Sequence, residues 1–214
     1  MRKQEKKKSR ILSIIKEHIY RNLKQYTIVA IFFLIGTIAG VIFANYTEEQ
    51  TQVQMGNTIT TFIECLKTDY QINFTNLLKE VMLNHLFFVF LLWFMGCTII
   101  GIPIVYALVV FKGFSLGYTI SSVIVALGSI KGSLFCILTL LLQNLLIIPS
   151  ILALAVSCIK LYQAIMKNKK RENIKLEIVR HTIFCFFILI CFIVSSFIEV
   201  YGSNFLFSLC VSWF

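Results

Sequence analysis

Five long segments that are almost free of charged side chains constrain this sequence more than any other feature. A helix of about 20 residues rises about 30 Å, which is enough to cross the hydrocarbon core of a bilayer. Hydrophobic residues make up 58% of the 214-residue chain and charged residues only 14%, a balance that a soluble domain cannot bury. The sequence therefore predicts an all-α, polytopic integral membrane bundle with five transmembrane helices, at about residues 26–45, 83–111, 113–130, 133–159 and 181–200.

The expected breaks between these helices follow glycine, proline and lysine residues. Gly101 and Pro103 should kink the long second helix, because proline removes a backbone donor and clashes with the preceding turn. Lys112 should lie in a tight turn before the third helix, and Pro149 should lie inside the fourth helix. On this interpretation no ionisable side chain lies at mid-membrane, which counts against proton-coupled or ion-coupled transport.

The basic residues indicate which side of the membrane each loop occupies. Most of the 20 Lys and Arg residues fall in residues 1–25 and 160–180. Because cytoplasmic loops carry an excess of Lys and Arg, both segments and the N-terminus are predicted to be cytoplasmic. The loop at residues 46–80, the apolar tail at residues 202–214 and the C-terminus then lie outside. Residues 1–25 form a basic amphipathic segment, so the net charge of +10 indicates a lipid bilayer as partner and no nucleic acid.

The outer loop is expected to contain short amphipathic helices, because apolar side chains recur there at helical spacing. The seven cysteines form no C-x-x-C motif and no Cys/His cluster, so no metal and no cofactor is predicted. Most of them lie inside apolar segments, where cysteine behaves as a small hydrophobic residue. A disulfide between Cys65 and Cys210 is left open.

Glycines four positions apart mark faces along which helices can approach closely. Gly36 and Gly40 lie in the first segment, and Gly113 and Gly117 begin the third. Such stripes bring two backbones close enough for van der Waals packing to hold them together. We expect these glycines to pack within one bundle, and the sequence leaves a homo-oligomer open as the alternative.

Polar residues within the segments are few. Gln143 and Asn144 in the fourth segment are expected to form interhelical hydrogen bonds, with a substrate pathway as the alternative. Glu199 and Tyr201 are expected at the outer membrane surface. Ser115 lies in a G-x-S-x-G motif, but a nucleophile elbow needs a strand–turn–helix context, so no catalytic residue is predicted.

A set of short motifs occurs in an order that resembles one protein family. In chain order the motifs are Asn84, Trp93-Phe-Met-Gly96, Gly101-Ile-Pro103, Lys112-Gly-Phe-Ser-Leu-Gly117, Gln143-Asn144, Ile148-Pro149 and Ile198-Glu199-Val-Tyr201. Their order and the five-helix layout resemble the stage II sporulation protein M family, from about Lys16 to Tyr201.

The resemblance implies a non-enzymatic membrane protein of endospore formation. It implies a scaffold in the cell membrane, at the sporulation septum or in the mother-cell membrane, that recruits and holds peptidoglycan-degrading enzymes during forespore engulfment. The implied partners are stage II sporulation proteins P and D. A small-solute channel or transporter subunit stays open as the alternative, because glycine and proline interrupt two of the segments.

Overall fold

The computed structural model describes residues 20–47, 49–67, 74–98, 100–167 and 171–202. Within this part of the chain the secondary structure is helical. Seven α-helices and two short π-helical segments follow one another: α1 Leu23–Tyr46, α2 Glu49–Lys67, α3 Phe74–Gly96, α4 Gly101–Leu127, α5 Ser129–Cys136, π1 Ile137–Leu141, α6 Leu142–Lys167, α7 Arg171–Phe197 and π2 Ile198–Gly202.

Five helical stretches are long and apolar enough to cross a membrane, which confirms the predicted class of all-α polytopic bundle. They are Leu23–Tyr46, Phe74–Gly96, Gly101–Leu127, Gln143–Met166 and Ile174–Gly202. Helix α1 runs parallel to α4, since Gly36 packs on Val110 and Gly40 on Phe114. Helices α3 and α7 run antiparallel, because the two ends of α3 meet opposite ends of α7 through Phe74 with Tyr201 and Trp93 with Thr182.

The expected turn at Lys112 is absent, and the chain breaks earlier instead. Residues 111–113 lie inside the continuous helix α4, and α3 ends at Gly96, just before Gly101. The physical reason is the position of Pro103, which occupies the first turn of α4, where helical N–H groups have no partner to lose. The second helix therefore runs from Phe74 to Gly96 and not over residues 83–111.

The fourth span also lies later in the sequence than expected. Helix α4 ends at Leu127, and the following Gly128, whose φ of 81° suits glycine, turns the chain into α5. The apolar stretch Ser129–Leu141 is too short to count as a span, and the spanning helix follows at Gln143–Met166. Pro149 lies inside α6, as predicted.

The core of the bundle lies where α1, α3, α4, α6 and α7 meet. Its most deeply buried large side chains include Leu92, Val105, Val109, Leu154 and Phe192. The outer faces of the same helices expose large apolar side chains, among them Leu34, Ile38, Phe87 and Phe186. Apolar side chains on both faces are expected of a helix that packs inward and meets lipid outward.

The four predicted glycines form one seam between α1 and α4. A Cβ atom on Gly36 would overlap the carbonyl oxygen of Val110, and one on Gly113 would overlap that of Phe33. Gly40 and Gly117 are placed in the same way, so each helix supplies glycines against the backbone of the other. In this structure the seam joins two helices of a single chain.

Two ends of the bundle differ in charge. The charges of Arg21, Glu177 and Arg180 all act on Lys160, and the Gln25 amide donates to Gln163 Oε1 at 3.2 Å. We name this the basic end. The opposite end carries α2, whose Met55 Sδ accepts a hydrogen bond from the Tyr118 hydroxyl of α4 at 3.1 Å.

Candidate functional site

Three ionisable side chains from three helices lie within electrostatic range of one another inside the bundle: His85 of α3, Lys112 of α4 and Glu199 of π2. We call them the charged cluster. His85 and Lys112 lie near the middle of their helices. This placement corrects the expectation that no ionisable group lies at mid-membrane. An ionisable residue at that depth is costly and usually marks a functional site.

His85 is held by contacts on both sides of its ring. Its Nδ1 lies 2.9 Å from the Ser196 hydroxyl oxygen, and its ring meets Phe192 edge to face at 5.2 Å. The Ser196 hydroxyl donates to the Phe192 carbonyl at 3.0 Å, so it accepts from a protonated Nδ1. The second ring nitrogen, Nε2, is thereby aimed at Glu199.

Glu199 lies in π2, where the helix widens by one residue per turn. Its Oε2 is 3.9 Å from His85 Nε2 and has no hydrogen-bond partner among the described residues, although the atom is buried. That distance is too long for a hydrogen bond. Single-turn π segments inside α-helices occur frequently at functional sites.

Lys112 supplies the positive charge of the cluster. Its Nζ lies 4.8 Å from the centre of the Phe88 ring, within the range of a cation–π interaction. Its charge acts on both Glu199 and His85. The cluster thus places one cation within electrostatic range of one carboxylate, and a histidine lies beside the carboxylate.

The arrangement of Ser196, His85 and Glu199 does not support acyl transfer. The Ser196 hydroxyl contacts the Phe192 carbonyl at 3.0 Å, and the 3.9 Å between His85 Nε2 and Glu199 Oε2 exceeds hydrogen-bond distance. His181, a histidine on the cytoplasmic side of the predicted fifth segment, does not serve the Ser115 motif as a base, because its Nδ1 contacts Ser157 at 2.8 Å. Within the described ranges no group of three or more His, Cys, Asp or Glu side chains could hold a metal ion.

Gln143 and Asn144, the polar residues predicted in the fourth helix, lie near the cluster, and their hydrogen bonds involve backbone carbonyl groups. The backbone carbonyl of the buried Gln143 accepts a hydrogen bond from the Ser195 hydroxyl at 3.2 Å, which links α6 to α7. Asn144 donates to the Leu140 carbonyl at 2.8 Å, within its own helix at the π1 segment. Two cavities, of about 120 and 480 Å³, lie along α3 and α7, and neither is lined by Gln143 or Asn144.

Tyr201 lies beside the cluster at the end of π2. Its ring packs on Phe197 at 6.2 Å and on Phe74 at 6.0 Å, so it joins α7 to the start of α3. The basic segment before residue 20, the tail after residue 202 and Cys210 lie outside the described residues.

The sequence predicted Glu199 as a site residue but did not predict that Lys112 lies near it. Lys112 and Glu199 both belong to the ordered motifs, and the expected turn at Lys112 places them at opposite faces of the membrane. The available signal was the continuous apolar character on both sides of Lys112, which is compatible with one helix through that position.

Fold and cluster together define a multi-pass membrane protein whose helical bundle encloses a charged cluster. The model of one family, stage II sporulation protein M, matches residues 29–204. The chain therefore belongs to the stage II sporulation protein M family and is a membrane protein of a sporulation family. No curated protein matches the chain, and no solved structure matches it.

Proposed function

We propose that this protein is a non-enzymatic membrane scaffold that recruits and holds peptidoglycan-degrading partners at the septum during forespore engulfment. The family match over residues 29–204 carries the proposal. By the family resemblance, the partners are stage II sporulation proteins P and D, and the location is the sporulation septum in the mother-cell membrane.

The architecture supports a holding role because the bundle is closely packed. The glycine seam brings α1 and α4 into backbone contact, and Leu92, Val109 and Leu154 fill the centre. A rigid bundle can hold two partners at a fixed separation. Binding both partners to one scaffold raises the effective concentration of each for the other.

Helix α2 offers a surface for an external partner. Met55 accepts the Tyr118 hydrogen bond and Gly56 approaches Ala126, so one face of α2 is fixed on α4. Away from these contacts α2 exposes polar side chains, including Asn57, Thr58, Thr60 and Thr61. The positive-inside bias places this end outside the cytoplasm, where cell-wall enzymes act.

The test is co-purification of peptidoglycan hydrolases with the tagged chain from sporulating membranes, after crosslinking and with partners identified by mass. A Thr61→Arg variant should lose the partners because it places a large charge on the exposed face of α2. Leu176→Arg introduces the same side chain at an exposed position of α7 and should retain them. Recovery of no hydrolase with the unmodified chain would refute the proposal, as would normal septal thinning in a deletion strain.

A small-solute transporter is the second candidate, and the charged cluster favours it. Ionisable groups in mid-membrane mark substrate or proton pathways in many transporters. The test is solute and proton flux in proteoliposomes containing the chain, with Lys112→Met as the comparison. Flux that Lys112→Met abolishes would support this function, and flux equal to that of empty vesicles would exclude it.

A further inference from the structure

A groove open to lipid runs between α3 and α7, and its volume is about 480 Å³. Its floor and walls are almost entirely apolar, and they include Val89, Phe90, Cys185 and Leu189. Its rims expose large side chains, namely Leu83, Phe87 and Phe186. The groove therefore presents a concave apolar surface to the bilayer.

The groove occupies one leaflet of the bilayer. It extends along α3 from Leu83 to Trp93, and ten residues of helix rise about 15 Å, half the thickness of the hydrocarbon core. At its basic end the Trp93 indole donates to the Thr182 hydroxyl at 3.1 Å. Tryptophan side chains are enriched at the boundary between hydrocarbon and headgroups, so Trp93 marks this boundary at one end of the groove.

A positive charge lies beyond this boundary on the same side of α7. Lys175 is exposed and lies seven residues before Thr182, so two helical turns place both on one face about 10 Å apart. The groove therefore combines an apolar channel one leaflet long with a cation at headgroup level. A transmembrane partner helix would need a contact surface across both leaflets, which this groove does not supply.

We propose that the groove binds one acyl chain of an anionic phospholipid from the leaflet at the basic end, with the headgroup beside Lys175. The site is independent of the proposed scaffold function, since it uses neither α2 nor the charged cluster. The bound lipid fills the gap between α3 and α7 and ties their basic ends to an anionic membrane surface.

Tryptophan quenching by brominated lipids tests the proposal directly. The chain contains two tryptophans, so Trp213→Phe leaves Trp93, in the groove, as the sole reporter. The full chain is placed in nanodiscs in which either phosphatidylglycerol or phosphatidylcholine carries bromine on its acyl chains. Brominated phosphatidylglycerol should quench Trp93 more strongly, with a relative binding constant about fivefold higher, as expected for one lysine near an anionic headgroup.

Matched lysine variants locate the headgroup. Lys175→Gln should bring the ratio of binding constants close to one. Lys79→Gln removes an exposed lysine near the opposite end of α3 and should leave the preference unchanged. Equal quenching by both lipids in the parent chain would overturn the proposal. So would a Trp93 that neither lipid quenches, because a second copy or a partner helix would then cover the groove, and so would a preference that survives Lys175→Gln.

Discussion

Replacing Lys112 by methionine should destabilise the bundle far more when Glu199 is present than when it is not. Lys112→Met keeps the length of the side chain but leaves the Glu199 carboxylate without its cation. Breaking one partner of a buried ion pair costs about 3–5 kcal/mol, whereas replacing both partners is often close to neutral. The Glu199 side chain is 29% exposed, and Lys112 acts on it at longer range than a direct salt bridge. We therefore expect a cost at or below the lower end of this range, about 2–3 kcal/mol.

The assay is reversible unfolding in mixed detergent micelles, followed by circular dichroism, for the parent chain, Lys112→Met, Glu199→Gln and the double variant. The double variant should be more stable than the sum of the single effects predicts, with a coupling energy of at least about 2 kcal/mol. The matched control is the Arg180–Glu177 pair, whose side chains are 70% and 32% exposed. Glu177→Gln should cost less than about 0.5 kcal/mol. Additive single effects at Lys112 and Glu199, within about 0.5 kcal/mol, would refute the idea that the two charges stabilise each other.

Three further predictions follow from other parts of the structure. Gly113→Val should destabilise the bundle by more than about 3 kcal/mol, because its side chain would overlap the Phe33 backbone. Thr119→Val, at an exposed site of α4, should change the free energy of unfolding by less than about 1 kcal/mol, and equal effects of the two variants in the same unfolding assay would contradict the glycine seam. Burial raises the pKa of the Cys97 thiol in the α3–α4 loop above its usual value, so the rate of its alkylation should still be rising with pH at pH 9. Mass spectrometry measures alkylation at this residue, and a rate that reaches a plateau by pH 8 would be inconsistent with the raised pKa. Reporters fused at positions 48 and 170 should report opposite compartments, and detection of both on one side would reject the five-span topology.

The sequence alone determined the class of fold and the number of spans. Apolar segments long enough to cross a bilayer are a local property, since every backbone group in lipid must be satisfied within its own helix. The glycine spacing likewise marked where two helices could approach, because a missing side chain has the same effect on whichever partner packs there. The first and fifth helices, at Leu23–Tyr46 and Ile174–Gly202, lie close to their predicted positions.

Only the tertiary structure decided which residues meet. The break between the second and third helices depends on whether Pro103 begins a helix or bends one, and both are compatible with the local sequence. Moving that break from residue 112 to residues 97–100 carries Lys112 from a loop to the middle of a spanning helix. There its charge acts on Glu199, which lies on a helix distant in the sequence. A lone lysine in an apolar segment predicts a turn, because its charge is costly in lipid. The carboxylate that lowers this cost comes close to the lysine only when the helices pack together.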